Sequence, residues 1–308
     1  VHGELYWSSS FRDAHEEIHC KPRNDGDAVP RAVAAMQIWS DGMSAAKFGS
    51  AKLWPIYLQF GNQSKYVRQC SGSGATHTVA FIPSLPSNFK EFVEHHAKGK
   101  KTSAELELHC RREIMQAVWL VLLDNEFINA WKAGILVLCG DGILCRLFPR
   151  ILTYSADYPE RVLLATMKFL GNYLCPHCLI PIDKICSSLG KAVDMRYRTK
   201  FQRVDDFDRQ YRIEKARELI YRGRKRLTHP KVRHHLDSRS LAPVENAFSK
   251  RLGCLGFDFH KILVVDTLHE WEVGVWKVIF THLVRILNTF KDRDCVNELN
   301  KQWDQAFI

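Results

Sequence analysis

No apolar run in this chain approaches the roughly 20 residues that a membrane-spanning helix needs, and no secretory signal stands at its head. A membrane anchor and a secretory route are therefore not expected. A disulfide framework is missing too. Ten cysteines are spread over 308 residues, and most, Cys139 and Cys145 among them, stand alone in apolar settings. That usage points to a reducing compartment, the cytosol or nucleus. Acids are the scarcer charge: 44 basic residues against 34 acidic ones leave a formal +10, which favours a polyanionic partner. What remains is ordinary. Apolar content of 46 % and charged content of 25 % are those of a soluble globular protein, long enough for one large domain or two smaller ones. The chain opens on Val1 rather than Met, so a longer parent protein is expected.

The stretch 31–62 organises the rest. Residues 32–39 are apolar almost throughout and end at Ser40-Asp41-Gly42. A second run, 54–60, starts with Pro55 in place and ends at Gly61-Asn62. A continuous apolar run bounded by turn residues fits a central strand buried on both faces. A carboxylate at the end of such a strand is costly to bury without a partner. Asp41 therefore asks for one, and a divalent metal shared with other acids is the cheapest.

In chain order, 13–19 reads as a short amphipathic helix and 77–83 as a third strand. Residues 103–131 form one long helical run, with Met115, Val118, Leu122 and Phe127 recurring at helical steps. Gly134 ends it. Residues 135–139 and 143–148 make a hairpin about Gly140-Asp141-Gly142, in which Asp141 is a turn residue. Residues 150–157 are extended and end in a second acid, Asp157, which could also cap the helix begun by Tyr158-Pro159-Glu160. Three strands, a helix and a fourth strand, with acids ending the first and fourth, resemble the RNase H-like fold. The expected class is α/β: an RNase H-like mixed sheet flanked by helices, with a largely helical insertion between the second and third catalytic acids.

That fold takes its third acid from a later helix, and 266–287 offers one. Val265, Leu268, Trp276, Ile279, Phe280, Leu283 and Leu287 share a face at 100° per residue. Glu272 and His269 lie on that face, and Glu270 points away. Thr267 and Glu270 have capping-box spacing, and Asp266 could itself be the N-cap. Glu272 is thus favoured, with Asp266, Glu270 and His269 as further candidates.

Between Asp157 and that helix, Cys175-Pro176-His177-Cys178 is half of a zinc site. Cys186, His229, His234, His235 and His260 are candidates for the other half, and a redox pair or unmetallated core cysteines are the alternatives. Residues 196–239 hold fifteen Lys or Arg against six Asp or Glu, interleaved with Tyr197, Phe201, Tyr211 and Tyr221. A surface of that kind could track a phosphate backbone, with Arg222, Arg224, Lys225, Arg226, Lys231 and Arg233 as the DNA contacts. A solvated helical face laced with ion pairs is the alternative. The expected organisation is a lead-in segment at 1–30, the first part of the core at 31–170, the insertion at 171–258, and the last core helix and tail at 259–308.

Four colinear blocks carry a family resemblance. They are IWSDGMSAAKFGSAKLWPIYLQFGN, FPRILTYSADYPERVLLA, CPHC and DTLHEWEVGVWKVIFTHLVRIL, with LAPVENAFSKRLGCLGF before the last of them. Together they resemble the fungal Plavaka-type transposases, relatives of the CACTA superfamily. The resemblance implies a nuclear enzyme with a DDE/D core that moves an element by its terminal inverted repeats. Asp41 and Asp157 would be the first two acids, and the third would fall within 266–272. Wider relatives keep an Asp and a His at the positions of Asp266 and His269. Two Mg²⁺ or Mn²⁺ ions would serve catalysis, and Zn²⁺ the CPHC knuckle. Double-stranded DNA, as transposon ends and target, would be the partner, with a homo-oligomer as the working form. Two alternatives stand beside this one: a catalytically inactive or host-adopted DNA-binding remnant, and an RNase H-like nuclease without strand transfer.

Overall fold

The structure, a computed structural model, describes residues 5–22, 29–44, 52–98, 101–188, 192–290 and 294–306. The side chain of Cys186 lies outside the described set. The chain divides into two compact units, Val1–Val264 and Val265–Ile308, each described by itself.

The strands are β1 (Arg31–Ser40), β2 (Met43–Ser44), β3 (Lys52–Leu53), β4 (Pro55–Phe60), β5 (Thr76–Phe81), β6 (Ile135–Leu138), β7 (Leu144–Ala156) and β8 (Leu263–Val265). Five of them form a mixed sheet in the order β5-β4-β1-β7-β6, with β8 also paired to β7. The meander β1-β4-β5 is antiparallel, whereas β7 returns parallel to β1. A parallel return needs a crossover, which the helices between β5 and β6 supply. These are α3 (Phe89–His96), α4 (Ala104–Leu122) and α5 (Asn125–Ala133), after the short α2 (Lys65–Gln69).

Two departures from the sequence reading matter. The single helix expected at 103–131 is two, because Asp124 stops the first and caps the second, its side chain accepting from the Phe127 amide at 2.7 Å. The hairpin arm and the extended segment expected on either side of Pro149 are one strand, β7. Pro149 is tolerated there because β6 has stopped pairing at Leu147, leaving that edge open where a proline cannot donate.

Helices cover both faces of the sheet. Val33 and Ala35 of β1 pack on α1 (Ser9–Cys20) through Phe11, Ala14 and Ile18. Ile38, of opposite parity, joins the larger core with Ile56, Met115, Trp119 and Phe248. So β1 is buried on both sides, as its unbroken apolar run requires. Glu17 of α1 pairs at 2.7 Å with Arg150, whose guanidinium lies over the Trp131 ring at 4.4 Å and is nearly inaccessible.

After β7 come α6 (Tyr158–Leu164), α7 (Ile182–Ser188), α8 (Ala192–Lys200), α9 (Phe207–Tyr221), α10 (Pro230–Leu236) and α11 (Ala247–Leu252). Helices α9 and α10 share a small core of their own, through Ile213, Ala216, Val232 and Leu236. Ala247, Phe248 and Leu252 of α11 belong to the main core, where Phe248 stacks on Trp119 at 4.7 Å. The second unit holds a π-helical stretch Leu268–Trp276, then α12 (Lys277–Leu287) and α13 (Cys295–Ala306). Among the described residues no helix is long and apolar enough to cross a membrane.

Candidate functional site

Asp41 directly follows β1 and Asp157 directly follows β7, and these strands are parallel neighbours. Their C-terminal ends therefore lie side by side, about 4.8 Å apart. A bulge sets the level. Met36 pairs with Ile151 but Gln37 pairs with Thr153, so β7 carries one extra residue, Leu152. From there the register runs to Trp39 opposite Ser155, and each acid lies two residues beyond that pair. Without the extra residue Asp41 would face Ala156 instead. Bulges beside sites commonly re-aim side chains in this way.

Both acids line one cavity of about 650 Å³, together with Trp54, Lys90, Arg111 and Glu160. The cations there are already engaged: Arg111 pairs with Glu107 at 2.6 Å and Lys90 approaches the same carboxylate at 3.8 Å. Among the described residues Asp41 has no hydrogen-bond or ion-pair partner. Asp157 accepts from the Glu160 amide at 2.8 Å and so caps α6, leaving its second oxygen for the cavity.

Glu160 is the functional candidate that sequence reasoning missed. Its position after Pro159 reads as an ordinary first-turn acid, and that is the only local signal it gives. In the fold it is buried beneath the acid pair. It accepts from the Ser40 hydroxyl and from Trp54 Nε1, the latter at 3.0 Å, while Ser40 shares a hydrogen bond with the Tyr154 hydroxyl at 2.6 Å. Burial above all, with the charges of Asp157 and Asp41, pushes the Glu160 carboxyl up to about 8 against the bonds from Ser40 and Trp54. Near neutrality it is mainly a neutral acid, tying the end of β1 to the start of α6. That tie holds the two strand-end acids relative to one another.

The segment read as the source of the third acid is not arranged as the 100° periodicity assumed. Residues Leu268–Trp276 are π-helical, so faces counted at 3.6 residues per turn do not apply to them. Thr267 makes no side-chain cap. Asp266 does the capping instead, accepting from the Leu268 amide at 2.9 Å, and its other oxygen meets His269 Nδ1 at 2.7 Å. Burial would raise the Asp266 carboxyl, but the bonds from His269 and Leu268 outweigh it and hold it below its usual value. The structure thus joins Asp266 to His269 within this unit and gives the periodicity argument for Glu272 no support.

Cys175 and Cys178 flank the knuckle, and the His177 amide donates to the Cys175 sulfur at 3.3 Å. The neighbouring Cys178, with the amides of His177 and Cys178, outweighs burial and holds the Cys175 thiol below its ordinary value. The knuckle is braced by the buried Arg203, which donates to the carbonyls of Cys175 at 2.8 Å and Tyr173 at 3.2 Å. Of the possible completing ligands, His260 comes nearest: its Nδ1 meets the Pro176 carbonyl at 2.9 Å, and its buried Nε2 has no partner among the described residues. His229 instead caps α10, accepting from the Lys231 amide at 3.2 Å, and His234 and His235 pack on each other there. Among the described residues no three ligand-type side chains stand together as a preformed metal cluster.

The basic segment divides sharply. Its interior arginines are structural: Arg209 pairs with Asp205 at 2.8 Å in the core, Arg239 with Asp206 at 3.0 Å, and Arg217 with Glu113. Tyr221 is used internally too, its hydroxyl bonding His109 and Glu113. The cations left over cluster at the α9–α10 turn. Arg222, Arg224, Lys225, Arg226, Lys231 and Arg233 are all exposed. Arg222 and Arg233 reach Glu218 and Asp237, while the other four have no ion pair among the described residues.

The arrangement is thus a mixed α/β protein with two acids side by side at the carboxyl ends of adjacent parallel strands, and a separate solvent-facing cluster of unpaired cations. The sequence matches the family described as Plavaka transposase over residues 10–285. That span is most of the chain, which therefore belongs to the Plavaka transposase family, and membership implies DNA as its partner. A comparison with curated proteins finds no match.

Proposed function

We propose that this chain is the catalytic domain of a cut-and-paste DNA transposase working in the nucleus on transposon ends and target DNA. One observation carries the reading: in a Plavaka family chain, Asp41 and Asp157 end adjacent parallel strands and line one cavity. The mixed sheet, with β7 returning parallel beside the antiparallel meander, is compatible with an RNase H-like core.

The donors suit a hard divalent cation. Mg²⁺ and Mn²⁺ favour carboxylate oxygens and phosphates, and Asp41 stands without a partner among the described residues. Asp41 and Asp157 would hold the ions. Bound metal would supply Lewis-acid polarisation of the scissile phosphate and activation of the attacking hydroxyl. The chain's own residues do the remainder. Glu160 brings no third negative charge near neutrality and keeps the two acids in place, and Trp54 and Leu163 form the wall of the cavity. The α9–α10 cations would hold the duplex by its phosphates and contribute register rather than sequence choice. For zinc, the knuckle offers Cys175, Cys178 and His260 Nε2, and filling it would require those three to draw together.

The test is Mn²⁺ titration by calorimetry on the chain and on Asp41→Ala, followed by cleavage of labelled element ends. Saturable binding that the variant loses, with metal-dependent cleavage, is the expected result. No binding by either protein, with salt-sensitive DNA binding retained, would replace the enzyme with a DNA-binding remnant.

A further inference from the structure

Away from the acids, α4, α10 and the turn after α6 enclose a second cavity of about 350 Å³. Its walls are largely apolar, with Leu108, Leu241 and the Phe169 ring among them, and its charged groups are Arg112, Lys168, Arg233, Glu105 and Asp237. Asp237 is taken by Arg233 at 3.1 Å and Lys168 at 3.6 Å. Arg112 has no such partner. It is 7 % exposed, its Nε is buried without an acceptor, and no carboxylate among the described residues pairs with it. Next to it His109, 6 % exposed, leaves its Nδ1 equally unmatched while Nε2 meets the Tyr221 hydroxyl at 2.9 Å.

A guanidinium keeps its charge at any accessible pH, and burying a charge without a counterion is unfavourable. A folded protein tolerates that where a ligand supplies the missing charge. The volume suits a small ligand. A planar guanidinium favours phosphate, to which it can donate two parallel bonds. The flat face of Phe169 offers a stacking surface for a base. The exposed cations of the α9–α10 turn adjoin the opening through Leu227, Thr228 and Arg233.

We propose that this cavity binds the phosphate of a nucleotide, with Arg112 as its counterion and Phe169 against the base. The site is separate from the acid pair and would stand if the chain cut nothing.

The experiment is calorimetry and thermal melting of the chain with inorganic phosphate, dAMP, a short single-stranded oligonucleotide and a duplex, repeated on Arg112→Met and Phe169→Ala. Arg112→Met should fold with an unchanged or higher melting temperature, since it removes an unpaired buried charge. It should bind the nucleotide probes about tenfold or more weakly. Phe169→Ala should weaken dAMP and leave inorganic phosphate unaffected. Binding of dAMP identifies a free nucleotide as sufficient, whereas binding of the oligonucleotides alone identifies the phosphate as one carried by DNA. Asp41→Ala should bind all probes as the unaltered chain does, which keeps this site distinct from the proposed metal centre. The proposal fails if Arg112→Met binds every probe as well as the unaltered chain. It fails equally if no probe binds, or if that variant alone melts far lower, making Arg112 a structural residue.

Discussion

At the scale of single residues, the region around Asp41 is a problem in charge. Glu160, Asp157 and Asp41 lie close enough for each acid to raise the Glu160 carboxyl, which burial already pushes up to about 8 from 4.5. Over that window the folded protein holds a proton that the unfolded chain has released. Stability contributed by Glu160 is therefore full below about pH 4.5 and is lost as pH rises through the folded value. Urea unfolding in EDTA at pH 5, 6.5 and 8 should show stability falling, by up to about 1.4 kcal/mol per pH unit from this group. Glu160→Gln leaves one acceptor oxygen for Ser40 or Trp54, removes the titrating group and should flatten that slope. A slope unchanged by the variant would show that Glu160 is ionised in the fold. Asp41 offers a second check. Asp41→Asn should melt, without metal, close to the unaltered chain, since Asp41 has no hydrogen-bond or ion-pair partner among the described residues to lose. It should also lose the melting-temperature rise that Mn²⁺ gives the unaltered chain. Equal Mn²⁺ stabilisation of the two proteins would place the ion elsewhere.

At the scale of elements, α1 is held to the sheet by an uneven pair. Arg150 is buried among Trp131 and Phe148, whereas Glu17 is about half open to solvent. Burial pushes the Glu17 carboxyl up, but its bonds and charge contacts with Arg150 and Lys21 outweigh this and leave it below its ordinary value. Its contribution is present above the unfolded value and fades as pH drops through the folded one, the reverse of Glu160. Glu17→Gln should cost about 1 kcal/mol at pH 7 by denaturant unfolding, discounted for the solvent around Glu17. No loss would mean that the Arg150 bonds to the Trp131 and Pro149 carbonyls suffice. The same scale explains why the expected helix at 103–131 breaks. Periodicity runs through Asp124, but an Asp side chain that can bond the Phe127 amide is worth more as a cap than within a helix.

At the scale of the whole molecule, a formal +10 does not mean an evenly basic surface. Of the basic residues in 196–239, those on α9 and after α10 are largely spent on internal pairs, while the α9–α10 turn keeps its charge for solvent. Replacing Arg224, Lys225 and Arg226 together by Ala should weaken duplex binding and lower the slope of log K against log salt by about 2–3. An unchanged slope in a filter-binding or anisotropy titration would move the DNA to another face. The sequence by itself was enough to mark strand β1, the acids Asp41 and Asp157 as candidates and the family, because apolar runs, turn residues and colinear motifs are local patterns. It also marked the basic segment as a whole. The tertiary structure alone decided that both acids line one cavity, through the extra residue Leu152 in β7. It alone set Glu160 against Ser40, separated the structural arginines from the exposed ones, and left Arg112 buried without a counterion. Register, burial and charge pairing depend on residues far apart in the chain, and the one-dimensional pattern carries no distance between them.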